Sequence, residues 1–141
     1  MRVLVGCEFS GIVRDAFAAR GHDAWSCDIL PTESPGQHLR CDVRDILSDG
    51  WDLAIFHPPC TYLASSGARW WNGRQQEQAD AIDFVRTLLA APIPRIALEN
   101  PVGRLSTVLR KPEQIIQPWM FGDEATKTTC LWLKNLPLLR P

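Results

Sequence analysis

The sequence has almost no excess of charge of either sign. Its 15 lysines and arginines and 16 aspartates and glutamates give a formal net charge of −1. A chain without a basic excess has no overall field that attracts nucleic acid, and tight nonspecific binding needs many phosphate contacts. The composition therefore argues against tight nonspecific binding to nucleic acid, whereas a local basic patch stays compatible with such a partner.

Long hydrophobic runs are also absent. No apolar stretch is long enough to cross a bilayer. Residues 1–5 lead directly into a strand pattern and do not have the organisation of a signal peptide. We therefore expect no membrane partner.

The five cysteines contain no C-x-x-C pair and are widely spaced: Cys7, Cys27, Cys41, Cys60 and Cys130. Their odd number and their spacing argue against a disulfide framework and against a zinc site. We expect a reducing, cytoplasmic environment and no metal ligands. At least four of the five are expected to act as small apolar residues in or beside strands.

Strand patterns and helix patterns alternate along the chain. With 141 residues and 45% hydrophobic composition, residues 1–141 are expected to form a single domain. The apolar periodicity predicts strands at residues 2–6, 22–27, 39–41, 51–56, 95–98, 114–119 and 128–134, and helices at residues 12–20, 43–47, 74–90 and 104–109. This order predicts an α/β fold with a mostly parallel sheet, helices on both faces and a C-terminal antiparallel hairpin.

The most informative motif is His57-Pro58-Pro59-Cys60, which follows the fourth predicted strand. Two prolines stiffen the backbone where that strand ends. Ligands of open α/β sheets bind at the carboxyl edge of the strands, and cysteine is a side chain with nucleophilic chemistry. The motif therefore predicts a thiol held on a rigid turn at the ligand-binding edge.

The turn after the first strand and the acids after the next two strands indicate a nucleoside ligand. Ser10-Gly11 forms a small-residue turn into a helix, but the G-x-G-x-x-G pattern that grips a pyrophosphate is absent. Asp28 can accept hydrogen bonds from ribose hydroxyls, Asp42 can accept from an adenine amino group, and Phe9 can pack against the adenine. Each aspartate has an alternative role as the cap of a turn or helix. A nucleoside cofactor without a diphosphate, such as S-adenosylmethionine, fits this set.

These motifs resemble those of the DNA cytosine-C5 methyltransferases, in a small phage-like form. His57-Pro58-Pro59-Cys60, with the Ser/Gly-rich residues after it, resembles the family's Pro-Cys nucleophile motif. Glu99-Asn100-Pro101 is similar to the family's Glu-Asn-Val, and Phe9-Ser10-Gly11 is similar to its Phe-x-Gly cofactor turn. The resemblance extends from about residue 2 to residue 134.

The resemblance implies a Rossmann-like, S-adenosylmethionine-dependent methyltransferase fold and covalent methylation of cytosine C5 in DNA. Cys60 as thiolate would attack C6 of a flipped-out cytosine, and Glu99 would hydrogen-bond or protonate N3. Asn100 would orient the Glu99 segment or Pro59. The implied cofactor residues are Phe9, Ser10, Gly11, Asp28, Ile29, Asp42, Val43 and Pro58, and the implied substrate residues are Pro59, Ser65, Lys127 and Thr129.

The chain departs from the family pattern near its C-terminal end. Residues 125–129 stand where the family has Gln-x-Arg-x-Arg, so Lys127 keeps one positive contact and Thr129 replaces an arginine that braces the base. The family's target-recognition segment and closing segment have no counterpart. Either the polypeptide is a shortened core, or a partner chain or a second copy completes the site.

Three alternatives stay open. The same chemistry could act on a free pyrimidine nucleotide or on single-stranded DNA. The second alternative is an amino-methyltransferase of the Asn-Pro-Pro-Tyr type. Such enzymes need an aromatic residue directly after the prolines to stack the base, and this chain has Cys60 there. A non-catalytic protein that binds the cofactor or DNA, with a regulatory or anti-restriction role, would need neither Cys60 nor Glu99.

Overall fold

A computed structural model describes residues 1–124 and 127–141 of the chain. Within those residues the strands are β1 (Arg2–Gly6), β2 (Asp23–Asp28), β3 (His38–Arg40), β4 (Leu53–Phe56), β5 (Arg95–Pro101), β6 (Gln114–Ile116) and β7 (Thr129–Lys134). The α-helices are α1 (Ile12–Ala18), α2 (Gln75–Leu89) and α3 (Leu105–Val108). Short 3-10 helices cover Val43–Ile46, Ser65–Trp70 and Pro118–Phe121.

The strands form one mixed sheet of seven strands in the order β3-β2-β1-β4-β5-β7-β6. The pairs β2–β3, β1–β2, β1–β4 and β4–β5 are parallel, and β7 is antiparallel to both of its neighbours. The predicted α/β class, mostly parallel sheet and antiparallel C-terminal hairpin are therefore confirmed. Because β6 and β5 are both antiparallel to β7, β6 runs in the same direction as β5.

The strand order reverses between β1 and β4. Chain connections leave in opposite directions at such a point, so the carboxyl ends of the two strands border a crevice where α/β proteins bind ligands. The turn that follows β1 and the His57-Pro58-Pro59-Cys60 segment that follows β4 both begin at this crevice.

Apolar residues cover both faces of the sheet. On one face Leu4, Phe56, Leu98 and Trp132 share a buried cluster with residues of α2. On the other face β1 and β2 meet α1 through Val3, Val5, Ala24, Val13 and Phe17. Strands that are buried on both sides need continuous apolar runs, which explains why this sequence pattern was informative. No helix of the described residues is long and apolar enough to cross a membrane.

Two strand ends differ from the predictions by three residues, and the other boundaries agree within two residues. β5 continues to Pro101, three residues beyond the predicted end, because β7 pairs with it as far as Pro101 and Thr129. β6 ends at Ile116 and not at residue 119, because Pro118 begins a 3-10 helix and has no N–H to donate to a neighbouring strand. The longer β5 places Glu99 and Asn100 inside the sheet.

A buried arginine holds the loop after β2 against α1. Arg14 is only 1% exposed. Its guanidinium donates hydrogen bonds to Asp15 Oδ1, Ser26 Oγ, Thr32 Oγ1, Ser34 O and Pro35 O at 2.9–3.2 Å. A Cβ atom at Gly36 would lie 2.6 Å from Arg14 Cζ. This close approach explains the glycine at position 36.

We expect Arg14→Leu to lower the free energy of unfolding by about 3 kcal/mol, because buried carbonyl and hydroxyl groups lose charge-assisted hydrogen bonds. Urea denaturation followed by tryptophan fluorescence measures the change. The exposed Arg20 on the same segment provides the matched control, and Arg20→Leu is expected to change stability by less than about 0.5 kcal/mol. Equal effects of the two substitutions would contradict the anchoring role of Arg14.

Candidate functional site

A cavity of about 610 Å³ lies at the carboxyl ends of β1, β2 and β3. Six predicted site residues line it: Phe9, Asp28, Ile29, Asp42, Val43 and Pro59. The first five were predicted for the cofactor, and Pro59 was predicted for the substrate. The structure therefore brings most of the predicted cofactor residues to one cavity, although they come from separate segments of the chain.

The other predicted cofactor residues, Ser10, Gly11 and Pro58, do not line this cavity. Ser10 Oγ donates a hydrogen bond to Glu8 at 3.2 Å. Gly11 is buried, has a φ of 81° and lies against Arg14. Pro58 is buried, and its carbonyl accepts a hydrogen bond from Asn100.

Glu8, which was not predicted as a site residue, caps the start of α1. Its Oε1 accepts from Val13 N at 2.8 Å, and its Oε2 accepts from Arg14 N at 3.3 Å. In dinucleotide-binding folds the backbone amides at this position receive a phosphate. Here the protein's own buried carboxylate occupies them. An acid shortly before the first helical residues was the sequence signal for this cap.

Asp28 and Asp42 both make the local capping contacts that were their alternative roles. Asp28 Oδ1 accepts from Leu30 N at 2.9 Å. Asp42 caps the Val43–Ile46 helix by accepting from Arg44 N at 2.9 Å, and it also forms an ion pair with the Arg44 guanidinium. The hydrogen bonds from Arg44 hold the pKa of the Asp42 carboxyl below its usual range. A ligand group that donates to Asp42 must therefore share or replace the contact with Arg44.

The charged side chains around this cavity are mainly acidic. Asp28, Asp42 and Asp80 face one arginine, Arg44. Three carboxylates against one guanidinium leave a local charge of about −2, which favours a cationic ligand and disfavours a phosphate. Asp80 was missed by the sequence analysis because it lies on α2, which reaches the cavity only through tertiary packing.

Three cysteines form part of the cavity wall: Cys7, Cys27 and Cys41. Burial, together with the charges of Asp28 and Asp42, raises the pKa of the Cys7 thiol to about 12. Burial is also the main cause of the raised pKa of Cys27, whose Sγ lies 3.7 Å from Cys41 Sγ. A thiol with a raised pKa is a poor nucleophile, so Cys7 and Cys27 act as wall residues, as predicted.

The segment that carries Cys60 is held at both ends. His57 N donates to Gly6 O at 3.0 Å, and Asn100 Nδ2 donates to Pro58 O at 3.1 Å. The Cys60 carbonyl accepts from the amides of Leu63 and Ala64. Asn100 thus connects β5 to the turn through the carbonyl of Pro58. The predicted contact of Asn100 was the Glu99 segment or the neighbouring Pro59. The backbone around the half-buried Cys60 is therefore fixed by neighbours on β1 and β5.

A second cavity, of about 480 Å³, lies on the α1 side of the sheet over β4, β5 and β7. Its wall is mostly apolar, and its polar groups come from His57, Glu99 and Thr129. The parallel register of Phe56 with Leu98 places His57 beside Glu99. The structure thus brings two of the predicted site residues, Glu99 and Thr129, to the same cavity.

The His57-Pro58-Pro59-Cys60 segment extends from one cavity to the other. Pro59 lines the first cavity and His57 lines the second. Cys60 itself lines neither of the two cavities. The remaining predicted substrate residues, Ser65 and Lys127, also line neither cavity and are exposed.

The predicted basic contact near β7 is described only in part. Residues 125 and 126 lie outside the described residues. The carbonyl of Lys127 accepts a hydrogen bond from Thr129 Oγ1 at 3.1 Å. Thr129 is therefore tied to the adjacent backbone, and it presents no group comparable to a guanidinium at the second cavity.

Comparison with known proteins does not assign the chain to a family. No family model matches the sequence, and no curated protein matches it. The function is therefore argued from the residues and geometry of the two cavities.

Proposed function

We propose that this chain is an S-adenosylmethionine-dependent methyltransferase that transfers a methyl group to C5 of cytosine in DNA through a covalent adduct with Cys60. The observation that carries the proposal is the position of the Cys60 segment. It extends from an acidic, nucleoside-sized cavity to the cavity that contains Glu99, and Asn100 ties it to β5.

The sheet supports a Rossmann-like methyltransferase fold. Strands β3-β2-β1-β4-β5 follow the order of the first five strands in doubly wound nucleotide-binding folds. The first cavity lies at the carboxyl edge of that sheet, and its volume of about 610 Å³ falls in the range of small-molecule sites.

The first cavity fits S-adenosylmethionine better than a phosphate-bearing nucleotide. The cofactor carries a sulfonium, an ammonium and a carboxylate group, and its net positive charge suits the local excess of carboxylates. Asp28 would accept from the ribose hydroxyls, Asp42 from the adenine amino group, and the partly exposed Phe9 would pack against the adenine. Glu8 already occupies the amides at the start of α1, so a phosphate has no place there.

The protein's own side chains supply a nucleophile, Cys60, and an acid, Glu99. Cys60 as thiolate forms a bond to C6 of the cytosine while Glu99 delivers a proton to N3, so the electron pair of the C5–C6 double bond becomes available at C5. When bound, S-adenosylmethionine supplies an electrophilic methyl group. Loss of the C5 proton to the solvent and return of the N3 proton to Glu99 then expel Cys60 as thiolate and restore the aromatic ring.

A second candidate function is binding without catalysis. One observation favours it: Cys60 does not line the cavity that contains Glu99. In this case the protein would bind the cofactor or DNA in a regulatory or anti-restriction role.

One experiment separates these functions. The protein is incubated with labelled S-adenosylmethionine and DNA that contains 5-fluorocytosine. Fluorine replaces the C5 proton whose loss would release the enzyme, so the adduct is trapped. We expect an adduct that survives denaturation and that peptide mass spectrometry locates at Cys60. Parallel reactions with single-stranded DNA and with the free fluorinated nucleotide identify the substrate class.

The cofactor's dissociation constant is measured in the same samples. If the cofactor binds but no substrate forms an adduct, the result supports the non-catalytic binder and contradicts the methyltransferase. Failure to bind the cofactor would reject the methyltransferase altogether.

A further inference from the structure

Glu99 has a titratable neighbour that the proposed mechanism does not use. His57 Nδ1 lies 3.7 Å from Glu99 Oε1. This distance is suited to an ion pair and is too long for a hydrogen bond. The side chains are 30% and 25% exposed, respectively, so both have room to approach by the half ångström or so that a hydrogen bond requires.

The second ring nitrogen of His57 makes the pair unusual. His57 Nε2 is buried and has no hydrogen-bond partner among the described residues. Buried polar atoms normally have a partner, so His57 Nε2 is an exception in this structure. The imidazole is therefore held through its backbone and through its approach to Glu99, and not by a second hydrogen bond to the protein.

The surroundings of the pair contain few other charges. Among the described residues that line the second cavity, His57 and Glu99 are the only titratable ones, since α1 contributes Phe17 and the other lining residues are apolar or threonine. Cys130 on β7 lies near Glu99. Burial and, to a smaller extent, the charge of Glu99 raise the pKa of the Cys130 thiol. Cys130 therefore stays neutral, and protons exchange within the pair of His57 and Glu99.

We propose that His57 is a positioning residue that holds a proton for Glu99 during attack on the pyrimidine ring. This inference rests on the proposed function. Glu99 must be protonated to serve N3, but an isolated carboxyl group has lost its proton by neutral pH. An imidazole keeps a proton to a higher pH than a carboxyl group does, so a histidine beside Glu99 can hold the proton that the carboxyl group passes on.

The proton transfer balances within the pair. As Glu99 gives its proton to N3, the N–H of the His57 imidazolium gives its proton to the Glu99 carboxylate. His57 is left neutral, and the substrate ring carries the proton. When Cys60 leaves later in the reaction, the C5 proton is lost to the solvent and the N3 proton returns through Glu99 to His57, so the pair regains its starting protonation.

The test is the ratio of rates between His57→Asn and the wild type as a function of pH. An asparagine amide can replace Nδ1 as a hydrogen-bond donor to Glu99, but it cannot carry a proton. The rate of adduct formation with 5-fluorocytosine DNA is measured from pH 5.5 to 8. Any effect of the substitution on Cys60 would persist in a Glu99→Gln background, whereas an effect through Glu99 would not.

We expect the ratio to lie below one already at pH 5.5, where an ordinary carboxyl group is largely ionised, and to fall roughly tenfold further by pH 7.5, because the imidazole of the wild type loses its proton more gradually over this interval. In a Glu99→Gln background the pH dependence of the ratio should disappear. His22 lines neither cavity. The rate of His22→Gln relative to the wild type should therefore stay near one at every pH.

The unfolding midpoint and the cofactor dissociation constant of His57→Asn identify any general damage, and His57→Gln is the second variant if the first is unstable. If the wild type forms the adduct but the ratio does not change with pH, the role of His57 is overturned and the proposed function is not. A wild type that forms no adduct at any pH would overturn the proposed function, and this inference with it.

Discussion

Replacing Cys60 with alanine is expected to abolish the covalent adduct with 5-fluorocytosine DNA and to lower methyl transfer roughly 10⁴-fold or more, as expected for loss of a nucleophile. Without a bond at C6 the electron pair of the ring never becomes available at C5, so no other group replaces the sulfur. Methyl transfer from labelled cofactor to DNA and gel analysis of the denatured adduct measure the two effects.

The control for this substitution is Cys130→Ala. Cys130 is a buried thiol on β7, and burial keeps it protonated. Its loss is expected to leave the adduct intact. Because Cys60 lines neither cavity, Cys60→Ala is also expected to leave the cofactor dissociation constant unchanged within about twofold. An adduct formed by Cys60→Ala would identify a different nucleophile.

Replacing Glu99 with glutamine is expected to lower the rate of adduct formation by about 10²–10⁴-fold, the usual contribution of a general acid. Glutamine keeps the shape of the side chain and can still donate a hydrogen bond to N3, but it cannot transfer a proton. The single-turnover rate at saturating cofactor is the appropriate measurement, since it isolates the chemical step from binding.

The location of Glu99 sharpens this prediction. Glu99 lines the second cavity and not the first, so Glu99→Gln should leave cofactor affinity unchanged while the rate falls. Glu33→Gln, at an exposed glutamate, is the matched control and should change neither. A loss of cofactor affinity in Glu99→Gln with an unchanged rate would place Glu99 in cofactor binding and would contradict its role as an acid.

Much of the fold could be predicted from the sequence because buried parallel strands leave a strong local signal. The predicted strand at residues 2–6 became β1 with the same boundaries, and each predicted strand has an observed counterpart. Where the prediction failed, a long-range contact or a proline decided the outcome. Pairing with β7 extends β5 through Pro101, and Pro118 ends the strand pattern of β6.

The grouping of the predicted cofactor residues at one cavity was also predictable, for a topological reason. In a parallel sheet the residues that follow each strand meet at one edge, so Phe9, Asp28 and Asp42 could be expected to converge once the strands were recognised. The same argument does not say which face of the sheet each side chain occupies. It therefore grouped Cys60 with Glu99 at one edge but did not reveal that Glu99 lines a separate cavity with His57.

The sequence by itself determined the α/β class, the order of the elements and the set of chemical groups at the carboxyl edge, because strand periodicity and chain direction are local properties. Only the tertiary structure decided which groups became partners. Glu8 caps α1, Arg14 holds the loop after β2, Asp80 reaches the first cavity from α2, and His57 meets Glu99. These contacts depend on strand register and helix packing between residues far apart in the chain, for which local sequence patterns carry no signal.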